Sequence, residues 1–338
     1  MNVLATARTA RLRNLRQAVT LGAAALATVG LSACGAKTAP AAAPTSDAPA
    51  AVTTAAPASN SDASATALPG TRYYLGLTDR EAVIHAVKGG SDQVAARIPL
   101  GSGSCRNTIT ISPYGERLAW VDGGANEDDG ILVTSMIDGS RKRTVERAPN
   151  FRGKANCLGS NPLVWNTNDL LMVHDGNRPV LIDVPENKPA DGDAGNETLK
   201  WWSPNGRSWA AVSEGRPYAT GESKWRFYHY TPPKAEAEHY DGWRVRSVSM
   251  DGRYVAVGWM NTDPSRNDGS FAVVDTITSK VVDLPGTGDI RSIMFTADDK
   301  VIVKRVTGIS VLDKSFRPVG TVEEPAALRD MALLAYVA

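Results

Sequence analysis

The stretch Ile109–Asp122 reads ITISPYGERLAWVD, and the chain writes the same sentence again further on. LKWWSPNGRSWAAVSEG runs through Ser203, VRSVSMDGRYVAVGWMN through Ser249 and RSIMFTADDKVIVKRVTG through Thr296. Ser112-Pro113-Tyr114-Gly115, Ser203-Pro204-Asn205-Gly206 and Ser249-Met250-Asp251-Gly252 share one turn form. Asn166-Thr167-Asn168-Asp169 and Thr296-Ala297-Asp298-Asp299 are weaker copies, and the spacings are 54, 37, 46 and 47 residues. The opening Ser or Thr can bond its own backbone, Pro presets φ, and the closing Gly supplies the left-handed conformation a tight hairpin needs. Where Gly is missing, Asp169 and Asp299 are expected to stand in, since Asp tolerates positive φ. The flanks (LVW, LKWW, LAWV, YVAV) are short and rich in β-branched and aromatic residues, with no sustained helical period.

A third run follows each hairpin, at Ile131–Ile137, Pro179–Val184, Trp225–Tyr230, Phe271–Asp275 and Ile309–Asp313. Several units show a fourth, such as Lys280–Leu284 and Val319–Val322, whereas the fourth strand near Lys188–Gly195 is weak. Four strands at this period is the signature of a β-propeller blade. The expected fold is therefore all-β. Before the first turn, Tyr73–Leu77, Ala82–Val87 and Val94–Ile98 supply three more strands, and Met331–Val337 (MALLAYV) copies the LAWV strand. A ring must hide its sheet edges, so both chain ends are expected to complete one blade. That count gives six four-stranded blades, with seven as the alternative; a β-sandwich pair would leave the period unexplained.

The SP(D/N)G turn, followed by an (I/V)xVxD strand, resembles the blade repeat of TolB-type and related WD40-like propellers over residues 105–323. Tyr114 and Asn205 depart from the family's Asp before the turn Gly.

The first 69 residues are of another kind. Arg8, Arg11, Arg13 and Arg16 precede an apolar, Ala-rich stretch from Ala18 to Leu31, with the order of a secretory signal and too little length to span a membrane comfortably. Leu31-Ser32-Ala33-Cys34-Gly35 resembles the lipobox of bacterial lipoproteins. The resemblance implies a signal peptide over residues 1–33 and a diacylglycerol, with palmitate-type acyl chains, on Cys34. Two long chains, at about 0.8 kcal/mol per buried methylene, anchor a protein firmly where one would hold it marginally. Residues 34–69 are Ala, Pro, Thr and Ser with hardly a large apolar side chain, too little to offset ordering entropy, and read as a disordered spacer. Residues 70–338 are the propeller domain. The expected location is the extracytoplasmic face of the cell membrane.

Without the leader's four arginines the chain carries 33 Lys+Arg against 36 Asp+Glu, so it has no electrostatic footprint for nucleic acid. Cys105 and Cys157 each stand just before the first strand of a unit, and a disulfide between them would close a loop worth about 4 kcal/mol; two separate buried thiols are the alternative. No catalytic motif is present: G-x-S-x-G, H-E-x-x-H, G-x-x-x-x-G-K and C-x-x-C are all missing, and Ser112-Pro113-Tyr114-Gly115 lacks the Asp of a sialidase box. His85 and His229 read as ordinary strand residues; His239 has no motif around it, and His174 is the best placed for a pocket. The acidic loops at Glu127–Asp129, Asp191–Glu197 and Asp263–Asp268 lack EF-hand spacing and read as solvated. The eight tryptophans fall mostly in strands and read as inter-blade core, with Trp201-Trp202 both covered only if both sheet faces are buried. No cofactor or metal is implied.

Around the axis, the inner strands begin with Arg106, Asn107, Asn161, Arg244, Asp289 and Arg291, a mixture suited to an anion. The functional expectation is a binding or scaffolding module of the cell envelope, with an unidentified protein or small-ligand partner. The alternative is an extracytoplasmic hydrolase or lyase working in the central channel.

Overall fold

The computed structural model describes residues 68–101, 106–122, 131–145, 163–174, 179–191, 200–213, 216–220, 225–227, 243–259 and 270–338. Cys34, Cys105, Cys157, Asn161, His229, His239, the leader and spacer through residue 67, and the acidic loops apart from Asp191 lie outside them.

The strands form six four-stranded antiparallel sheets. Five use consecutive strands. They are β4 (Thr110–Ile111) to β7 (Arg143–Thr144), with β5 (Arg117–Asp122) and β6 (Ile131–Met136) between them. Next come β8 (Leu163–Trp165), β9 (Leu170–His174), β10 (Pro179–Asp183) and β11 (Lys188–Pro189). The third set is β12 (Trp201–Trp202), β13 (Trp209–Ser213), β14 (Arg216–Thr220) and β15 (Trp225–Phe227). The fourth is β16 (Trp243–Val248), β17 (Tyr254–Trp259), β18 (Ser270–Asp275) and β19 (Lys280–Val281). The fifth is β20 (Ile290–Phe295), β21 (Val301–Arg305), β22 (Gly308–Leu312) and β23 (Pro318–Glu323). The remaining sheet is assembled from both ends of the chain, in the order β24 (Ala332–Val337), β1 (Thr71–Leu77), β2 (Glu81–Lys88), β3 (Ser91–Pro99). In it Thr71 faces Val337 and Arg72 faces Tyr336, so the C-terminal strand zips onto the N-terminal one. The innermost strands follow one another around an axis, β24, β4, β8, β12, β16 and β20, each beside the next. This is a closed β-propeller.

The repeated turn works through its hydroxyl. Ser112, Ser203, Ser249 and Thr296 each accept a backbone N–H from the start of the returning strand, at 3.1, 3.0, 2.9 and 3.0 Å. In three copies the same hydroxyl donates to a carboxylate or amide oxygen two residues on: Asn205 at 2.6 Å, Asp251 at 2.7 Å, and Asp298. Tyr114 cannot take that bond, which is the physical content of its departure from the repeat. Gly115, Gly206 and Gly252 all have φ near +71. At Gly206 a Cβ would also stand 2.8 Å from the Asn166 carbonyl of the neighbouring turn, so the residue is required twice over.

Three expectations about the copies are corrected. In the second unit the residue that opens the turn is Thr167 rather than Asn166, its hydroxyl accepting from Leu170 N–H at 3.2 Å. There Asp169 has no positive φ, whereas Asp299 sits at φ 62 as expected. In the third unit the third strand is Arg216–Thr220, and the run beginning at Trp225 forms the outermost strand. The weak fourth strand of the second unit is present as Lys188–Pro189.

Both faces of each sheet are covered. Ala119, Val121 and Leu132 of one sheet pack against Leu163, Leu171 and Ile182 of the next, and Val255, Val257 and Val274 pack against Ala210. Each such aliphatic side chain contributes about 1.5–3 kcal/mol when fully buried. The seam between the last sheet and the closing sheet adds polar groups to an apolar core. Tyr74 donates to Glu324 Oε1, and Lys304 Nζ lies 3.8 Å from Glu324 Oε2 with both side chains within 1% of full burial. Lys304 also donates to the carbonyls of Leu328 and Met331, at the end of the short helix α1 (Ala326–Arg329) and just beyond it. Leu68 is buried in this seam, and the Pro69 carbonyl accepts from Tyr336.

Candidate functional site

The axis of the ring is hollow. A cavity of about 120 Å³ lies there, and every one of the six inner strands contributes to its wall. Ser112, Pro113, Pro204 and Thr296 place it toward the end where the repeated turns cluster. Five aromatic residues, Trp165, Trp201, Trp202, Phe295 and Tyr336, stand in its wall among hydroxyl-bearing and aliphatic ones. Among the described lining residues, Arg246 is the one charged side chain, and none is a carboxylate or histidine.

Arg246 owes its place to a β-bulge. On β16, Val245 faces Val257 and Ser247 faces Ala256, leaving Arg246 as the extra residue. Val245 and Val248 consequently enter the same apolar cluster although three residues apart, an interval that simple alternation forbids. Arg291 is the extra residue of an equivalent bulge on β20, with Ile290 and Ile293 sharing a cluster. Next to the bulge, Ser247 accepts the Phe295 N–H at 2.8 Å, stitching β16 to β20 and leaving the hydroxyl hydrogen to be given elsewhere.

Arg244 and Arg246 lie close enough on β16 to repel each other. Burial, and then the like charge of Arg246, hold the Arg244 guanidinium well below the usual arginine range. The indole Nε1 of Trp165, a residue 6% exposed, has no hydrogen-bond partner among the described residues. Hydroxyl-bearing residues, Thr110, Ser112, Ser247 and Thr296, stand among the aromatic side chains of the wall.

Of the residues expected at the inner strand starts, Arg244 is buried, Arg291 half-buried and Asp289 exposed, and none of the three lines this cavity. Arg106 donates to the Asp79 carbonyl at 3.2 Å; the side chains of Asn107 and His174 lie outside the described residues. His85 pairs with Asp92 at 3.1 Å, an ordinary cross-strand contact between β2 and β3. Trp202 is buried and Trp201 half-buried, packing on clusters from both neighbouring sheets, which accords with covered faces. Among the described residues no group of three metal-binding side chains occurs. Sequence reasoning missed Arg246 and Trp165. The paired valines at an interval of three were the available signal for the former.

A second concavity, about 560 Å³, opens at the turn face between the last two consecutive-strand sheets. Phe316, held at φ 61, packs edge-on against Tyr254 there with ring centres 4.8 Å apart. Its lining charges are two of each sign, Asp251 and Asp299 against Arg253 and Lys314, with Arg253 bonded to Asp275 at 2.8 Å.

No protein-family model matches the chain, and no curated protein matches its sequence. Solved structures do overlay on it. TolB from Acinetobacter baumannii is 15% identical over 74% of this chain and 66% of its own, with a TM-score of 0.37; the chain thus spans under two thirds of TolB. Hsv2 of Kluyveromyces lactis is 13% identical, covering 74% of this chain and 71% of that one, with a TM-score of 0.38. The β-propeller domain of the trilobed protease of Pyrococcus furiosus, described as having an open velcro topology, is 11% identical over 73% and 79%, with a TM-score of 0.37. They are similar in fold alone.

Proposed function

We propose that the chain is a lipid-anchored, extracytoplasmic β-propeller that acts as a binding or scaffolding module in the bacterial cell envelope, with the axial channel as its binding site. The observation that carries the binding role is the channel wall. Hydroxyl-bearing and aromatic residues from all six sheets surround one cavity, while its described lining lacks the carboxylates and histidines that general acid–base or metal chemistry would use. Such a wall recognises and holds; it has no described group to move a proton. The anchor rests on the basic, apolar and small-residue order that ends at Cys34, and the spacer after it would hold the domain clear of the membrane.

Two measurements test this. Wild-type protein should fractionate with membranes at mature size and take up labelled palmitate, whereas Cys34→Ala should be released or left unprocessed. Mature-sized Cys34→Ala retained on membranes would end the anchor. Cross-linking in intact cells followed by purification should recover a defined envelope partner or a bound small molecule.

A further inference from the structure

We propose that the concavity between the fourth and fifth sheets takes a small zwitterion with an apolar side chain, an α-amino acid or a short peptide. Its ammonium sits at Asp299, its carboxylate at Lys314 and its side chain against Tyr254 and Phe316. The site shares Phe295 with the axial cavity and does not depend on the reading of the channel as a binding site.

Two charges in this wall are uncommitted. Arg253 is held by Asp275 at 2.8 Å, and the Asp251 carboxylate takes the Ser249 hydroxyl at 2.7 Å and the Arg253 N–H at 3.0 Å. Asp299 and Lys314 are both exposed, and neither side chain has a hydrogen bond or an ion pair among the described residues, not even with the other. Opposite charges that line one concavity without closing on each other are met together only by something that spans them. A lone anion would be attracted by Lys314 and repelled by Asp299, and a lone cation the reverse; a zwitterion satisfies both.

The backbone is unusual in the same place. Asp299 has φ 62 and Phe316 has φ 61, both left-handed. Asp tolerates that conformation, whereas a bulky aromatic is strained by it and glycine would close the β22–β23 hairpin freely. The hairpin does not need the ring. Its hydrogen bonds come from Asp313, whose carboxylate accepts the Ser315 and Arg317 N–H groups at 2.8 and 2.9 Å and whose carbonyl accepts the Phe316 N–H at 2.9 Å. What the strained residue supplies is half-buried aromatic surface beside Tyr254, in the wall of the concavity. Strain kept at the edge of a cleft points to a use for the cleft. Met250 and Val301 extend the apolar part of the wall, and 560 Å³ lies within the range of about 300–1,000 Å³ usual for small-molecule sites.

The test uses the full-length protein in detergent, read by saturation-transfer NMR and calorimetric titration. Phenylalanine is compared with N-acetylphenylalanine, which lacks the ammonium, with phenylalaninamide, which lacks the carboxylate, and with serine, which lacks the apolar body. Phenylalanine should bind about threefold more tightly than either blocked form, the margin an exposed charge pair supplies, and serine should bind most weakly. Asp299→Asn, which also accepts positive φ, should erase the preference over the N-acetyl form alone, and Lys314→Gln the preference over the amide alone. Phe316→Gly removes the strain along with the ring, so the hairpin survives, and phenylalanine should weaken several-fold. The dipeptide phenylalanylalanine, tighter or weaker than phenylalanine, sets the length of the ligand within this class. Equal binding of phenylalanine and its two blocked forms, binding unaltered by Phe316→Gly, or no binding at all overturns the proposal, and each leaves the reading of the axial channel standing.

Discussion

The propeller has two kinds of seam, and they are built from different materials. Between consecutive sheets the contact is aliphatic in the middle and polar at the rim. Leu171 and Ile182 meet Ala119 and Leu132 inside, while Arg117 and Asp169 pair at 2.8 Å in solvent. At the closing seam a lysine and a glutamate are buried side by side, with a tyrosine hydroxyl on the carboxylate and two backbone carbonyls on the ammonium. The connection through α1 ties the last sheet to β24 covalently, but no peptide bond joins β24 to β1. The Tyr74 bond from β1 to Glu324 on that connection, beside the buried Lys304, makes any other docking of β24 against β1 costly. Ion pairs of this kind add little net stability over an apolar replacement, and their cost appears when one partner is lost.

That difference is open to direct attack. Lys304→Met should be the most damaging substitution in either seam, lowering stability by about 3–5 kcal/mol in urea titrations because Glu324 is left buried without its cation. Adding Glu324→Leu should recover most of the loss; no recovery would mean the pair is more than a matched burial. A smaller effect concerns pH. Burial raises the Glu324 carboxyl above its ordinary value of 4.5, against the lowering influence of the Tyr74 bond, Lys304, Arg72 and Arg329. A carboxyl raised in the folded state holds its proton more readily there, so its contribution is full below the unfolded value and is lost as pH rises through the raised one. Melting temperature should therefore fall with pH across that window, and Glu324→Gln should flatten the slope; an unchanged slope would place the titration elsewhere. Arg117→Ala, at the rim of an ordinary seam, should cost about 0–1 kcal/mol, and a loss near that of Lys304→Met would erase the contrast.

The repeat was readable because its chemistry is local. A hydroxyl, a preset φ and a glycine lie within five residues; the turns at Ser112, Ser203 and Ser249 use at least two of them, and those at Thr167 and Thr296 keep the hydroxyl. Joining the two chain ends was readable too, since an open edge demands a partner and MALLAYV was the strand left over. What stayed hidden depends on register or on distance. The sequence RPYAT, with its proline, does not announce itself as a strand until β13 is there to pair with it. The bulge at Arg246 shifts side chains by one place, so a period-two count sends Val245 and Val248 to opposite faces. Lys304 sits in VIVKRV like any exposed strand lysine, and its partner comes 20 residues later on a connection with no motif of its own.

The place where the chain enters the ring has a mechanical meaning. Leu68 and Pro69 lead straight into β1, which is flanked by β24 on one side and β2 on the other. A tug on the N-terminal segment would arrive at the one joint of the ring that no peptide bond reinforces. There it would be shared between two ladders pulled lengthwise together, so that their rungs resist in parallel instead of parting one after another.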